Sequence, residues 1–234
     1  MKLFNNMFNR SVKFAAPKSA DQAPAYLDGF AQAVRFTESL GFMVDNLRLG
    51  DTSTDVLDPK GHFVDPVFTA ARVKDRRQAA GQCLKWCHYL QPHFARQLGR
   101  RVILTAGQLW NKEACVFGPQ FEDLDRWVRS GLQANDFVAG GGFKLHAWLT
   151  VETGEIIEPT LLSSLAKFGH PSYGDYAGAT VWGRDPHVLN GHRYVPLAVG
   201  TELVEQVAER SFVPLLAKVP DELDLQVYAV LGKQ

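Results

Sequence analysis

The chain has 234 residues, 46% of them hydrophobic and 21% charged. That is the make-up of a folded domain and excludes a disordered tail, a collagen or a coiled-coil rod. Lys plus Arg and Asp plus Glu each number 25, and this zero balance argues against a dedicated nucleic-acid binder, which carries a basic excess. Three cysteines, Cys83, Cys87 and Cys115, are too few for a disulfide framework and leave at least one free thiol, which points to a reducing, cytoplasmic setting. No run reaches the ~18 apolar residues of a membrane-spanning helix, so no transmembrane segment is expected.

Residues 1–23 read as a basic N-terminal segment and linker. Lys2, Arg10, Lys13 and Lys18 alternate with Phe4, Met7, Phe8, Val12 and Phe14. Two readings stand: a basic terminus with apolar anchors, or a targeting or membrane-surface element. Residues 24–234 read as one domain. A helix is expected from Pro24 to Leu40, with Pro24 in its first turn and Gly41 as its stop. Residues 42–70 hold Asp51, Pro59, Gly61 and Pro66 and read as mostly irregular. A second helix covers about Ala79 to Leu98, with Gly99 at its end and a kink or break from Pro92 near Tyr89 to Gln91. The run Val102 to Ala106 reads as a strand and residues 121–131 as a short amphipathic helix. Gly140-Gly141-Gly142 reads as a hinge into a strand pair, 143–151 and 155–159. Residues 168–193 form an aromatic loop, either covering a cleft or packing on itself. A helix near 201–210 with Thr201 as its cap and a strand near 225–231 complete the chain. A helix-rich half feeding a strand-rich half is an α+β pattern.

The strand pair carries the chemistry. A two-residue loop at Thr153-Gly154 would put Glu158 on the face holding Ala147, Leu149 and Val151. A three-residue loop at Glu152-Thr153-Gly154 instead pairs Val151 with Glu155 and Trp148 with Glu158, with Gly154 in a left-handed conformation. This second register sorts the side chains. Leu145, Ala147, Leu149, Val151 and Ile157 share one face, and His146, Trp148, Thr150, Ile156, Glu158 and Thr160 share the other. His146 and Glu158 become diagonal neighbours, close enough for the carboxylate to orient the imidazole. His146 taken alone reads more readily as a histidine held by a backbone carbonyl than as a catalytic group.

A histidine so oriented needs a group to activate. Cys83 follows Gly81-Gln82 at the start of its helix, where unpaired N–H groups favour a thiolate and can hold an oxyanion. Cys87, one turn on among Trp86, Tyr89 and Leu90, reads as buried and inert. Cys83, Cys87, His88 and His93 also resemble a set of zinc ligands, but a helix turns Cys87 and His88 about 100° apart, so a metal site is not the expectation.

Gly81-Gln82-Cys83, a helix ending Leu98-Gly99 and the strand Arg101 to Leu104 resemble the nucleophile segment of the transglutaminase-like cysteine enzymes. His146-Ala147-Trp148 and Glu158-Pro159-Thr160 resemble that family's next two motifs, and the matched stretch spans about residues 79–162. The resemblance implies a papain-like fold, with a Cys-bearing helix packed on an antiparallel sheet. It also implies acyl transfer through a thioester, a protein or peptide substrate and no cofactor. Cys83 would be the nucleophile, His146 the general base and acid, and Glu158 the orienting acid where the family usually has Asp. The upstream Trp that the large cross-linking members use for the oxyanion has no counterpart before Cys83, which leaves the Cys83 N–H with Gln82 or Gln78 as candidates. Trp148, Trp110, Tyr173 and Tyr176 are the candidate cleft residues. An inert binding module on the same fold and a zinc-stabilised structural protein are the alternatives.

Overall fold

The structure is a computed structural model and describes residues 13–52, 57–58, 60–138, 142–169 and 171–225. Six helices and eight strands alternate along these residues. α1 (Tyr26–Ser39), α2 (Val64–Ala70) and α3 (Cys83–Leu98) precede β1 (Val102–Asn111) and β2 (Ala114–Phe117). α4 (Phe121–Ser130), the small hairpin β3 (Phe137–Val138) and β4 (Gly142–Phe143), β5 (His146–Val151) and β6 (Ile156–Glu158) follow. α5 (Leu161–Phe168), β7 (Val181–Gly183), β8 (His192–Val199) and α6 (Thr201–Arg210) complete the set.

The main sheet is antiparallel and built around β1. Residues 105–107 of β1 pair with both β5 and β8, and residues 109–111 pair with both β8 and β2. A strand has two edges, so β8 runs along one and β5 hands over to β2 along the other. β6 and β7 extend the sheet beyond β5. Leu149 lies opposite Ile157 and Thr150 opposite Ile156, which is the register of the three-residue loop. The Val151 N–H donates to Glu155 O at 2.8 Å, and Gly154 has φ +86°, a backbone state in which a Cβ would be strained.

Both faces of the sheet are buried. Ala147, Leu149, Val151 and Ile157 pack with α3, α4 and α6 residues such as Cys87, Leu90, Phe94, Trp127 and Val204. Trp148, Ile156 and Tyr194 pack on the other side with Tyr26, Phe30, Ala33 and Val34 of α1. The face that the sequence pattern assigns to polar groups is therefore a second core. A strand with both faces covered loses the alternation that marks an open side.

Several elements differ from expectation. α3 runs unbroken through Pro92, where a break or kink near Tyr89–Gln91 is expected from sequence. Leu90 and Phe94, both 0% exposed, pin the helix to the core on either side of the proline, and this packing offsets the lost hydrogen bond. The stretch 42–70 contains α2, because Pro66 sits in that helix's first turn, where its missing N–H costs nothing. Asp58 accepts from the His62 and Phe63 N–H groups, each at 2.7 Å, just ahead of it. The residue capping α6 is Gly200, with Thr201 inside the helix. The aromatic stretch 168–193 contributes β7, which pairs with β6. In the N-terminal stretch, Phe14 packs against Phe36 and Phe121 with ring centroids 5.2 and 5.3 Å away, and Ala16 and Ala20 are buried. The first twelve residues, Gly140 and Gly141 of the hinge, and the expected strand beyond Leu225 lie outside the described residues.

Candidate functional site

α3 begins on Cys83 itself, with Gln82 as its N-cap residue and no side chain capping the helix. The first-turn N–H groups therefore keep their donor capacity around the sulfur. Gly81 sets the entry. Its φ is +75°, its N–H donates to Ser164 Oγ at 3.0 Å, and a Cβ there would lie 3.2 Å from Phe168 Cε2. Gly81→Ala is expected to cost about 1–2 kcal/mol for the left-handed backbone alone and to lower Tm by roughly 2–8 °C in a thermal melt. An unchanged Tm would show that the turn is not fixed as described.

His146 opens β5 where β2 ends. Phe117, the last residue of β2, stacks on its ring at 5.1 Å, and Trp148 and Tyr194 lie 5.9 and 6.2 Å away. His146 Nε2 is bonded to Glu158 Oε2. This leaves Nδ1 as the other ring nitrogen, and the Cys83 side chain lies near enough to the same imidazole to help raise it. Cys83 Sγ also lies 3.7 Å from Leu145 O. Cys83 is half-buried, while His146 is 2% and Glu158 0% exposed. The sulfur thus faces outward with the pair sealed behind it.

Glu158 owes its position to the start of α5. Its Oε1 accepts from the Thr160 N–H at 2.9 Å, the Thr160 hydroxyl at 3.0 Å and the Leu161 N–H at 3.0 Å. A carboxylate on helix N-terminal amides is favoured by both hydrogen bonding and the helix dipole. One oxygen is fixed by α5, which aims the other at the imidazole. Burial pulls the His146 ring downward, but the Glu158 charge, the side chain of Cys83 and the bond that the ring donates to Glu158 outweigh it and raise the ring to about 10. An imidazole held in this way is charged at neutral pH and has a proton to give.

The structure brings together Cys83, His146 and Glu158, which are 63 and 12 residues apart in sequence. Cys87 is sealed in the core with Sγ on Ala147 O at 3.4 Å, and burial, then the Glu158 and Cys83 charges, push its thiol well up. His88 Nε2 bonds Glu205 instead, so the cysteines and histidines of α3 diverge. Among the described residues no group of three or more His, Cys, Asp or Glu is arranged to hold a metal ion.

The other candidates fall elsewhere. The Gln82 amide donates to Gln78 O at 2.8 Å and Leu223 O at 3.3 Å, so both its N–H bonds are spent and it is not a free oxyanion donor. The Gln78 side chain is bonded to Asp75. Trp148 and Trp110 are 0% and 5% exposed and form no cleft wall, because both faces of the sheet are covered. Trp148 donates instead to Tyr26 Oη at 2.8 Å and supports the imidazole from behind. Tyr173 and Tyr176 lie in the 3-10 turn Pro171–Tyr176 and do not line the groove that opens at Cys83. That groove is lined instead by Gly81 to Lys85, Phe137, Phe143 and Val213 to Leu215. None of these walls carries a sequence signal, because the hairpin β3–β4 is two residues to a strand and residues 213–215 are irregular. Phe117 escapes for a related reason, since only the handover from β2 to β5 brings it to the ring. A larger cavity of about 530 Å³ opens at the far end of α3, where Arg100 and Arg101 are paired with Glu152.

No helix among the described residues is long and apolar enough to cross a membrane. No protein-family model, curated protein or solved structure matches this chain.

Proposed function

We propose that this protein is a cysteine-dependent acyl-transfer enzyme of papain-like, transglutaminase-like architecture, acting on an amide bond of a protein or peptide. The observation that carries the reading is the convergence of a half-buried Cys83 at a helix start, the buried His146 on whose charge it acts, and a Glu158 fixed by three donors. A buried histidine satisfied only for structure needs neither a half-exposed thiol at a helix start nor a carboxylate fixed by three donors. The order of the three residues, and the hairpin that joins the last two, also fit the family that the motifs resemble.

In the reaction, the imidazolium of His146 already carries its proton, and the Cys83 sulfur, as the thiolate, attacks the substrate carbonyl. The developing oxyanion meets the uncapped N–H groups at the start of α3. The imidazolium, held charged by Glu158, gives its proton to the leaving amine as the C–N bond breaks, which leaves a thioester on Cys83. Water, deprotonated by the now neutral imidazole, attacks that thioester, which releases the acid and restores the thiolate beside the imidazolium. Hydrolysis makes the protein a protease, amidase or deamidase; an amine in place of water makes it a transferase.

Alkylation by iodoacetamide followed by peptide mapping tests the reading. Cys83 is expected to react faster than a free thiol near pH 7, and His146→Ala is expected to slow it. A Cys83 that reacts no faster than glutathione, with or without His146, would mark an inert binding module.

A further inference from the structure

The nucleophile opens onto a groove whose walls come from two segments with no part in the relay. One wall is the β3–β4 hairpin, through Phe137 and Phe143, and the other is Val213-Pro214-Leu215. Phe137 meets Phe143 edge-on at 6.0 Å and Phe212 edge-on at 5.6 Å. Phe212 is 57% exposed, so an aromatic ridge runs from beside the sulfur out to the surface. The cavity volume is about 50 Å³, several times the ~10–15 Å³ that one water needs, and suits a side chain of a few heavy atoms.

The nitrogen donors of the groove's side chains are already engaged, and the Gln82 Oε1 acceptor is the buried polar atom there without a partner among the described residues. Lys85 is the cation among the described lining residues, and its Nζ donates to Leu225 O at 2.6 Å and Glu222 O at 3.3 Å. The Gln82 amide is held by Gln78 O and Leu223 O. A charged side chain entering this space would shed its water, and the cation beside it, Lys85, already spends its Nζ on two backbone carbonyls, so burying the charge is unfavourable. An aliphatic or aromatic one would exchange water for the Phe143 and Leu215 surfaces, a gain of roughly 25 cal/mol per Å² buried.

We propose that this groove is the acyl-side specificity subsite of the enzyme and that its substrates present an apolar side chain next to the scissile carbonyl. Phe137, Phe143, Val213 and Leu215 are the residues that set this preference. The proposal rests on Cys83 being the nucleophile, so its test must separate the two ideas.

Three electrophiles are compared on the full chain: iodoacetamide, the chloromethyl ketone of N-acetyl-leucine, and that of N-acetyl-aspartate. Each rate of Cys83 labelling is divided by the same reagent's rate with glutathione. The leucyl reagent is expected to exceed the aspartyl reagent by about tenfold or more, the discrimination that apolar pockets reach. Phe143→Asp is expected to collapse that ratio toward one. Val213→Asp on the opposite wall gives the same readout if the hairpin variant does not fold. Equal leucyl and aspartyl rates, with iodoacetamide labelling still dependent on His146, overturn the subsite and leave the nucleophile standing. Loss of the His146 dependence with iodoacetamide overturns the nucleophile and the subsite with it.

Discussion

Glu158→Ala is expected to destabilise the protein by about 3–5 kcal/mol, because it strands a buried imidazolium without its partner. The His146–Glu158 pair is 2% and 0% exposed, so water cannot compensate for the missing carboxylate. The Thr160 and Leu161 N–H groups lose their acceptor in the same change, which frees the start of α5. Urea unfolding of the single variants and of the double variant Glu158→Ala/His146→Ala checks this. The double variant should recover part of the loss, since it removes both charges. A Glu158→Ala protein within about 0.5 kcal/mol of the parent, the range of ordinary surface changes, would show that the pair is not charged in the fold.

The same pair fixes a pH dependence. The His146 ring is raised in the fold to about 10 from an unfolded value near 6.5. A raised folded value means that the folded state binds the proton more tightly. Its stabilising contribution is therefore complete below pH ~6.5 and is lost as pH climbs through about 10. The parent should lose stability across that window, and Glu158→Gln, which removes the charge that holds the ring up, should show a shallower fall.

His146→Ala is expected to lower amide turnover by about 10²–10⁴, the usual worth of one positioned acid–base group. An anilide and a nitrophenyl ester with the same acyl group discriminate its role. An amine leaves poorly without a proton, whereas nitrophenolate leaves unaided. The loss should therefore be large on the anilide and clearly smaller on the ester. Equal losses on both would assign His146 to activating the thiol alone, with another group protonating the amine.

The hairpin was readable from sequence because two independent constraints agree there. The alternation of Leu145, Ala147, Leu149 and Val151 selects a register, and Gly154 supplies the backbone state that the matching loop needs. That register alone makes Glu158 a diagonal neighbour of His146. What covers the second face was not readable, because the apolar stripe of α1 does not say which sheet face it meets. The sequence consequently points Trp148 to a cleft, whereas in the fold it braces the imidazole from behind. Pro66 and Pro92 show the limit of local rules. One proline is harmless in a first turn, and the other is overruled by Leu90 and Phe94 packed on the core. The groove walls depend on where short and irregular segments come to rest, which periodicity does not encode.

The imidazole is enclosed by Phe117, Trp148 and Tyr194 and braced through Tyr26, so its surroundings draw on residues from 26 to 194. Contacts of such long sequence separation form slowly, after the loops between them have closed. During synthesis Cys83 leaves the ribosome well before His146, and β8 arrives later still. An intermediate lacking β8 carries the thiol without its ordered partner. On the proposed reading, the centre becomes competent only as the sheet is completed, and the sulfur stays idle on the nascent polypeptide until then.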